Sequence, residues 1–104
     1  MPNVFFTSDS HFNHSKIINY CDRPFNDVCE MNSVMVEKWN SVINREDIVW
    51  HLGDFVFARK EYEVEEATNI LNGKINLITG DHDKFIEKHL KQCLRYFNSI
   101  TENY

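Results

Sequence analysis

The chain has 104 residues, 42% of them apolar and 26% charged, with a formal net charge of −5. That composition describes one modest globular domain, and the negative balance excludes broad attraction to nucleic acid or anionic membranes, though not a nucleotide or nucleic acid held through a bound cation. No apolar run approaches the roughly 20 residues of a membrane span. Residues 1–6 lack the basic start and long apolar core of a leader, and the three cysteines (Cys21, Cys29, Cys93) form no C-x-x-C pair, so a reduced, cytoplasmic chain is expected.

The first element is a strand over 3–8, read as central, with Val4, Phe5 and Phe6 packed on both sides. It empties into the loop Asp9–His14. His14 follows His11 by three residues and so either shares its pocket, beside the site or against substrate, or lies on an exposed loop. Ser15 is placed to cap a short helix running to about Tyr20, which Arg23-Pro24-Phe25 breaks, because proline disfavours helix at the residue before it. Asn26 or Asp27 then caps a longer helix, with Glu30 in a capping-box position. Its apolar stripe is Met31, Val34, Met35, Trp39 and Val42, read as core.

Residues 44–47 turn back into a second strand over 48–52. There His51 is expected to be buried and hydrogen-bonded, not a ligand. Phe55 to Ala58 continue apolar and either pack beneath the following turn or line it. A helix is predicted over 59–72, with Tyr62, Ala67, Ile70 and Leu71 inward, Val64 off the stripe, and the run Glu61, Glu63, Glu65, Glu66 on a solvated face; Gly73 ends it. A third strand over 75–79 leads to a helix capped by Asp83 with Phe85, Ile86, Leu90 and Leu94 inward and His89 outward. A last strand is placed within 95–100. Strands alternating with helices predict an α/β fold with a mainly parallel sheet and flanking helices, one domain over 1–104.

Three strand ends carry the chemistry: Asp9-Ser10-His11, Gly53-Asp54 and Gly80-Asp81-His82-Asp83. Ligands of parallel α/β sheets bind beyond the carboxyl ends of the strands. Each block singly has a plain reading, since Asp and Gly are common turn residues and an Asp there often only caps a helix; three in the same context point to one convergent site. Four carboxylates gathered together repel, two unit charges about 4 Å apart costing roughly 4 kcal/mol at an effective dielectric near 20. Such a cluster needs a cation or protonation. Mixed imidazole and carboxylate donors suit Mn²⁺, with Fe²⁺ or Zn²⁺ as alternatives, one or two ions. Asp54, from the middle block, is the candidate bridge between two ions, and a bound cation would acidify a coordinated water.

These blocks, in order, spacing and strand context, resemble the first three signature blocks of the calcineurin-like metallophosphoesterase superfamily, and the phrases Phe6-Thr7-Ser8-Asp9-Ser10-His11-Phe12 and His51-Leu52-Gly53-Asp54-Phe55 are similar to small bacterial and phage members. The resemblance implies the N-terminal half of that family's αββα sandwich. It implies that Asp9 and His11 ligate one metal, that Asp54 bridges two, and that Asp81, standing where the family has asparagine, ligates the second. It further implies that His82 contacts the scissile phosphate or protonates the leaving oxygen, and that Asp83 accepts the His82 ring N–H. The implied reaction is hydrolysis of a phosphomonoester or phosphodiester by metal-activated water.

Two departures shape the expectation. Asp81 adds negative charge where the family has a neutral amide, and the family's later histidine blocks have no counterpart, His89 being the one histidine after His82. The chain therefore reads as a shortened domain. One reading is a minimal phosphoesterase of weakened activity. The alternative is an inactive scaffold that acts on a macromolecular partner through its acidic surface, its exposed sheet covered by a second copy or another protein. A third supplies the missing residues from a separately encoded chain.

Overall fold

The computed structural model describes residues 2–16, 18 and 23–102. Four strands, β1 (Val4–Thr7), β2 (Ile48–His51), β3 (Lys74–Ile78) and β4 (Ser99–Thr101), form one sheet in the order β1-β2-β3-β4. Every pair is parallel, with Thr7 opposite His51 and His51 opposite Leu77. The helices are α1 (Val28–Val42), α2 (Glu61–Asn69), α3 (Lys84–Lys88) and α4 (Leu90–Cys93), followed by a 3₁₀ turn over Leu94–Tyr96. The α/β alternation expected from the sequence is thus present. Of the helix predicted from Ser15 to about Tyr20, residues 17, 19 and 20 lie outside the described set, as does Cys21.

Consecutive strands that advance one position at a time through right-handed crossovers carry their helices on a single face. The burial pattern agrees. Val49, Ile75 and Leu77 point into the core with Phe12, Phe55, Val64 and Ile86, and Phe5 and Ile100 pack against it. On the opposite face Val4 is 53% and Phe6 70% exposed, and Ile48, Trp50 and Ile78 are only half-buried. This corrects the placement of β1 as a central strand packed on both sides. Among the described residues β1 pairs with β2 alone, so it is an edge strand, and alternation turns Val4 and Phe6 away from Phe5, which packs on the core.

α1 begins where expected, the Asp27 carboxylate accepting the Glu30 N–H at 2.8 Å. Met31 is fully buried, and Met35 and Trp39 pack on the core, but Val42 is exposed. α2 takes a different phase from the predicted one. Val64, Ala67, Thr68 and Leu71, spaced i, i+3, i+4, i+7, are buried, whereas Tyr62 and Ile70 are exposed. Thr68 occupies the stripe because its hydroxyl donates to the Val64 carbonyl at 3.1 Å and needs no water. The glutamate run is not a uniformly solvated face: Glu61 accepts from Tyr96 at 2.7 Å and from Arg95, tying α2 to the 3₁₀ turn. The single helix expected after Asp83 is broken at His89, and Leu94 faces out.

Candidate functional site

Parallel register brings the carboxyl ends of β1, β2 and β3 to one edge of the sheet, and the three turns that leave them interlock. Asp9 N–H donates to the Gly53 carbonyl, His11 N–H to the Asp54 carbonyl, and Phe12 N–H to the Phe55 carbonyl, each at 2.9 Å. The Arg23 guanidinium caps the same turn from outside, donating to the Asp9 and Ser10 carbonyls at 2.6 and 2.9 Å. Held this way, Asp9, His11 and Asp54 adopt left-handed backbone, with φ of 55°, 50° and 54°. Non-glycine residues there cost roughly 1–2 kcal/mol each, and such strain concentrates at functional sites.

Two glycines explain the closeness of the second and third turns. A Cβ on Gly80 would stand 2.6 Å from both the backbone N and the carboxylate of Asp54, and one on Gly53 would stand 3.1 Å from the Gly80 backbone. The Gly-Asp phrase is weak evidence as a sequence; in the fold its glycine is what lets one strand end touch the next.

The side chains then meet. His11 Nε2 lies 3.7 Å from an Asp9 oxygen and 3.8 Å from an Asp54 oxygen, and His82 Nδ1 lies 3.3 Å from the other Asp54 oxygen. One donor atom each from His11, Asp54 and His82 fall within 4.8 Å of one another, a set that can hold a metal ion. Ligands at about 2.1 Å around a tetrahedral ion stand roughly 3.4 Å apart, so a spread of up to 4.8 Å would tighten modestly around a bound cation. His14, buried, presents Nδ1 to His11 Nδ1 at 3.3 Å. In the tautomer in which His11 Nδ1–H donates to His14, the His11 Nε2 lone pair is left facing the carboxylates, the usual support for a ligating histidine. Burial lowers the pKa of His11, with His82, Arg23 and His14 acting the same way and Asp54 opposing. Burial also lowers His14, assisted by His82 and Lys16. Both are therefore held in the neutral, ligand-competent form. Asp54 is pushed up by burial, but the His82 N–H, the Asp9 carboxyl and the two imidazoles outweigh this and lower its pKa.

Two predicted site residues are placed differently. Asp83 does not accept the His82 ring N–H. Fully buried, its carboxylate accepts the backbone N–H groups of Phe55 and Gly80, both at 2.9 Å, and Val56 at 3.4 Å, binding the third turn to the second. Nor does it cap α3 through its side chain. Burial raises its pKa against the pull of those N–H groups. Asp81 is exposed and stands outside the donor set, as does Asp9, which lies on its rim. His51 is buried as expected. It accepts the Gly53 N–H on Nδ1 at 3.3 Å, which leaves Nε2–H to donate to Ser10 Oγ at 2.9 Å, and Ser10 donates to the Phe55 carbonyl at 2.8 Å. Burial depresses its pKa to about 4. Ser10 and Arg23, both supports of the first turn, carry no signal in the sequence that would single them out.

Of the stretch after Asp54, Phe55 and Val56 pack beneath the site, while Phe57 lines it, stacked on His14 with ring centroids 4.9 Å apart. A larger cavity, about 470 Å³, runs between β1 and α1, but it is walled by Phe5, Phe6, Phe25, Met35 and Trp39 and contains none of His11, Asp54 or His82. Its size does not make it the chemical centre.

No family model matches the chain. It is 46% identical over 89 residues to an uncharacterized protein of Methanocaldococcus jannaschii, covering 85% of this chain and 51% of the relative. It is 34% identical over 88 residues to the Gene 66 protein of Mycobacterium phage D29, covering 81% of this chain and 42% of the relative. A solved structure of a protein of unknown function from Aquifex aeolicus superimposes with a TM-score of 0.73 at 31% identity, over 97% of this chain and 52% of that one. The chain thus spans about half the length of the proteins it matches.

Proposed function

We propose that this chain is a metallophosphoesterase-type hydrolase unit that cleaves a phosphomonoester or phosphodiester with a divalent cation, Mn²⁺ first and Fe²⁺ or Zn²⁺ next. One observation carries the reading: three separate strand ends bring His11, Asp54 and His82 within reach of a common ion, on backbone strained at Asp9, His11 and Asp54. His11, Asp54 and His82 would hold the cation, with Asp9 closing the rim. The bound ion would supply Lewis acidity toward a phosphoryl oxygen and an acidified water. The chain's own contributions follow from position. Asp54 joins both imidazoles and receives the His82 backbone N–H at 2.9 Å, so it fixes the ring that faces the open side. His82, 44% exposed at the side chain, is the group that meets substrate. His14 Nδ1 is placed to accept the proton on the far nitrogen of His11, 3.3 Å away. The donor set supports one ion, and Asp81 is exposed and outside that set. Among the described residues no helix is long and apolar enough to cross a membrane, and Cys29 and Cys93 are free thiols, which supports a reducing, cytoplasmic setting.

A second reading, action through a macromolecular partner, draws on the edge strand β1, where Val4 and Phe6 are exposed. Phosphodiester and phosphomonoester turnover with added Mn²⁺, compared between the intact chain and Asp54→Asn, separates the two. Hydrolysis lost in the variant and on chelation supports the enzyme; equal rates in both would sink it and favour the partner reading.

A further inference from the structure

The phosphoesterase reading leaves its substrate open, and the wall beside His82 narrows it. A pocket of about 330 Å³ opens there, lined by Asn13, His14, Lys16, Phe57, Arg59 and His82, with Ser15 completing it. That volume falls at the lower end of small-ligand sites, about 300–1,000 Å³, and exceeds what one phosphate group fills. Its lining has a definite electrical character. The chain as a whole carries −5, yet no carboxylate lines this pocket and two permanent cations do. Neither Lys16 nor Arg59 forms an ion pair with a described residue. The Arg59 guanidinium lies 5.6 Å from the Phe57 ring centroid, and Phe57 in turn stacks on His14. The Glu63 carboxylate meanwhile accepts the Arg59 backbone N–H at 3.0 Å and the Asn13 amide at 2.7 Å, bracing the two sides of the pocket. Arg59 is thus mounted on a braced wall, Lys16 shares the pocket lining, and the far end of the pocket is His82, a member of the donor set.

We infer that Lys16 and Arg59 seat a second phosphate group of the substrate while the scissile phosphate lies at His82, so that the preferred substrates are small molecules bearing at least two phosphates. The inference rests on the phosphoesterase reading for the scissile group, but the anion seat itself does not. Phe57 is already engaged by His14 and Arg59, which leaves it a poor platform for a base; recognition is by charge.

The test has two arms. In the first, the intact, metal-free, isotopically labelled chain is titrated with inorganic phosphate. Saturable shifts at Lys16 and Arg59 are expected, kept in Asp54→Asn, roughly tenfold weaker in Lys16→Ala/Arg59→Ala, and unchanged in the charge control Lys91→Ala. Both pocket side chains are exposed, so the double variant keeps its fold, which circular dichroism checks. Absence of saturable shifts, unchanged affinity in the double variant, or equal weakening in the control would overturn the seat. In the second arm, Mn²⁺-supported hydrolysis of an aryl phosphate is compared with that of the same compound carrying a further phosphate. The double variant should raise KM about tenfold for the bisphosphate alone and leave kcat unchanged. An equal rise for both substrates would assign Lys16 and Arg59 to the scissile phosphate and overturn the second-phosphate inference. Phosphate binding as expected without turnover on any substrate would sink the phosphoesterase reading and overturn the placing of a scissile group at His82, while leaving the anion seat established.

Discussion

The turn after β1 and the turn after β3 carry nearly the same residues, an Asp and a His within a few positions, and use them in opposite ways. The Asp9–His14 turn is held by backbone, its N–H groups donating to carbonyls of residues 53–55 and its own carbonyls taken by Arg23. That leaves the Asp9 carboxylate and the His11 ring for the site. The Gly80–Asp83 turn is held by a side chain: the Asp83 carboxylate is committed to three backbone N–H groups, and only His82 is left to face the site. The same residue type is a support in one turn and a rim donor in the other. What decides is whether the local backbone has already found its partners.

Breaking that division should have graded effects. The largest is expected for Asp83→Ala, which strands two buried N–H groups and a half-buried one and should cost about 4 kcal/mol in urea unfolding, with loss of cation binding as the second and third turns separate. Asp83→Asn keeps one acceptor and should cost about half as much. His11→Ala leaves the backbone bonds of the first turn in place, so it should keep most of the stability and lose Mn²⁺ affinity by roughly 100-fold in calorimetric titration. A finding that His11→Ala unfolds the chain as badly as Asp83→Ala would erase the distinction between the turns.

Acid should act on the link between the first and second turns, where His51 bonds both Ser10 and Gly53. The folded pKa of His51, about 4, lies below the ordinary 6.5. The unfolded chain therefore takes up a proton below pH 6.5 that the folded chain refuses until about pH 4, and stability must fall across that window as pH drops. The full loss approaches about 3 kcal/mol, or about 1.4 kcal/mol at pH 5.5. His51→Gln should flatten this part of the pH–stability curve; an unchanged slope would place the acid sensitivity elsewhere. The smallest effect is expected for Asp81→Ala. It is exposed and outside the donor set, so both unfolding free energy and Mn²⁺ affinity should stay within about 0.5 kcal/mol of the parent. A large loss of Mn²⁺ affinity in this variant would show that the third turn contributes a carboxylate ligand after all.

Much of the local architecture was legible. The apolar cores of β1, β2 and β3 stand out as short runs ending in polar turns, and Asp27 announces α1 through its cap. The phase of α2 was not. Tyr62 and Ile70 are as apolar as any residue in the helix, while Thr68 counts as polar, so composition favours the wrong stripe; the buried one is chosen by the layer beneath it, which accepts a threonine whose hydroxyl is satisfied within the helix. The placement of β1 was illegible for a similar reason. Val-Phe-Phe reads as a strand buried on both faces, but exposure depends on what lies beside and above the strand, and its three neighbours in sequence say nothing of that.

The site divides along the same line. Residue type and spacing pointed to Asp9, His11, Asp54, Asp81 and Asp83 as one convergent set, because imidazole and carboxylate at strand ends are chemically conspicuous wherever they occur; of these the structure keeps His11 and Asp54 in the donor set and adds His82, which the family resemblance had assigned to substrate. The sequence alone also determined the elements that carry them, since caps, turns and apolar runs act over three or four residues. Tertiary structure decided which donors share a point in space, that Asp83 is an anchor and not a partner for His82, and that Gly53 and Gly80 lie back to back. Those outcomes depend on parallel pairing between segments some 25 to 45 residues apart, where the register of one strand against another, not the identity of any residue, sets the distance between side chains.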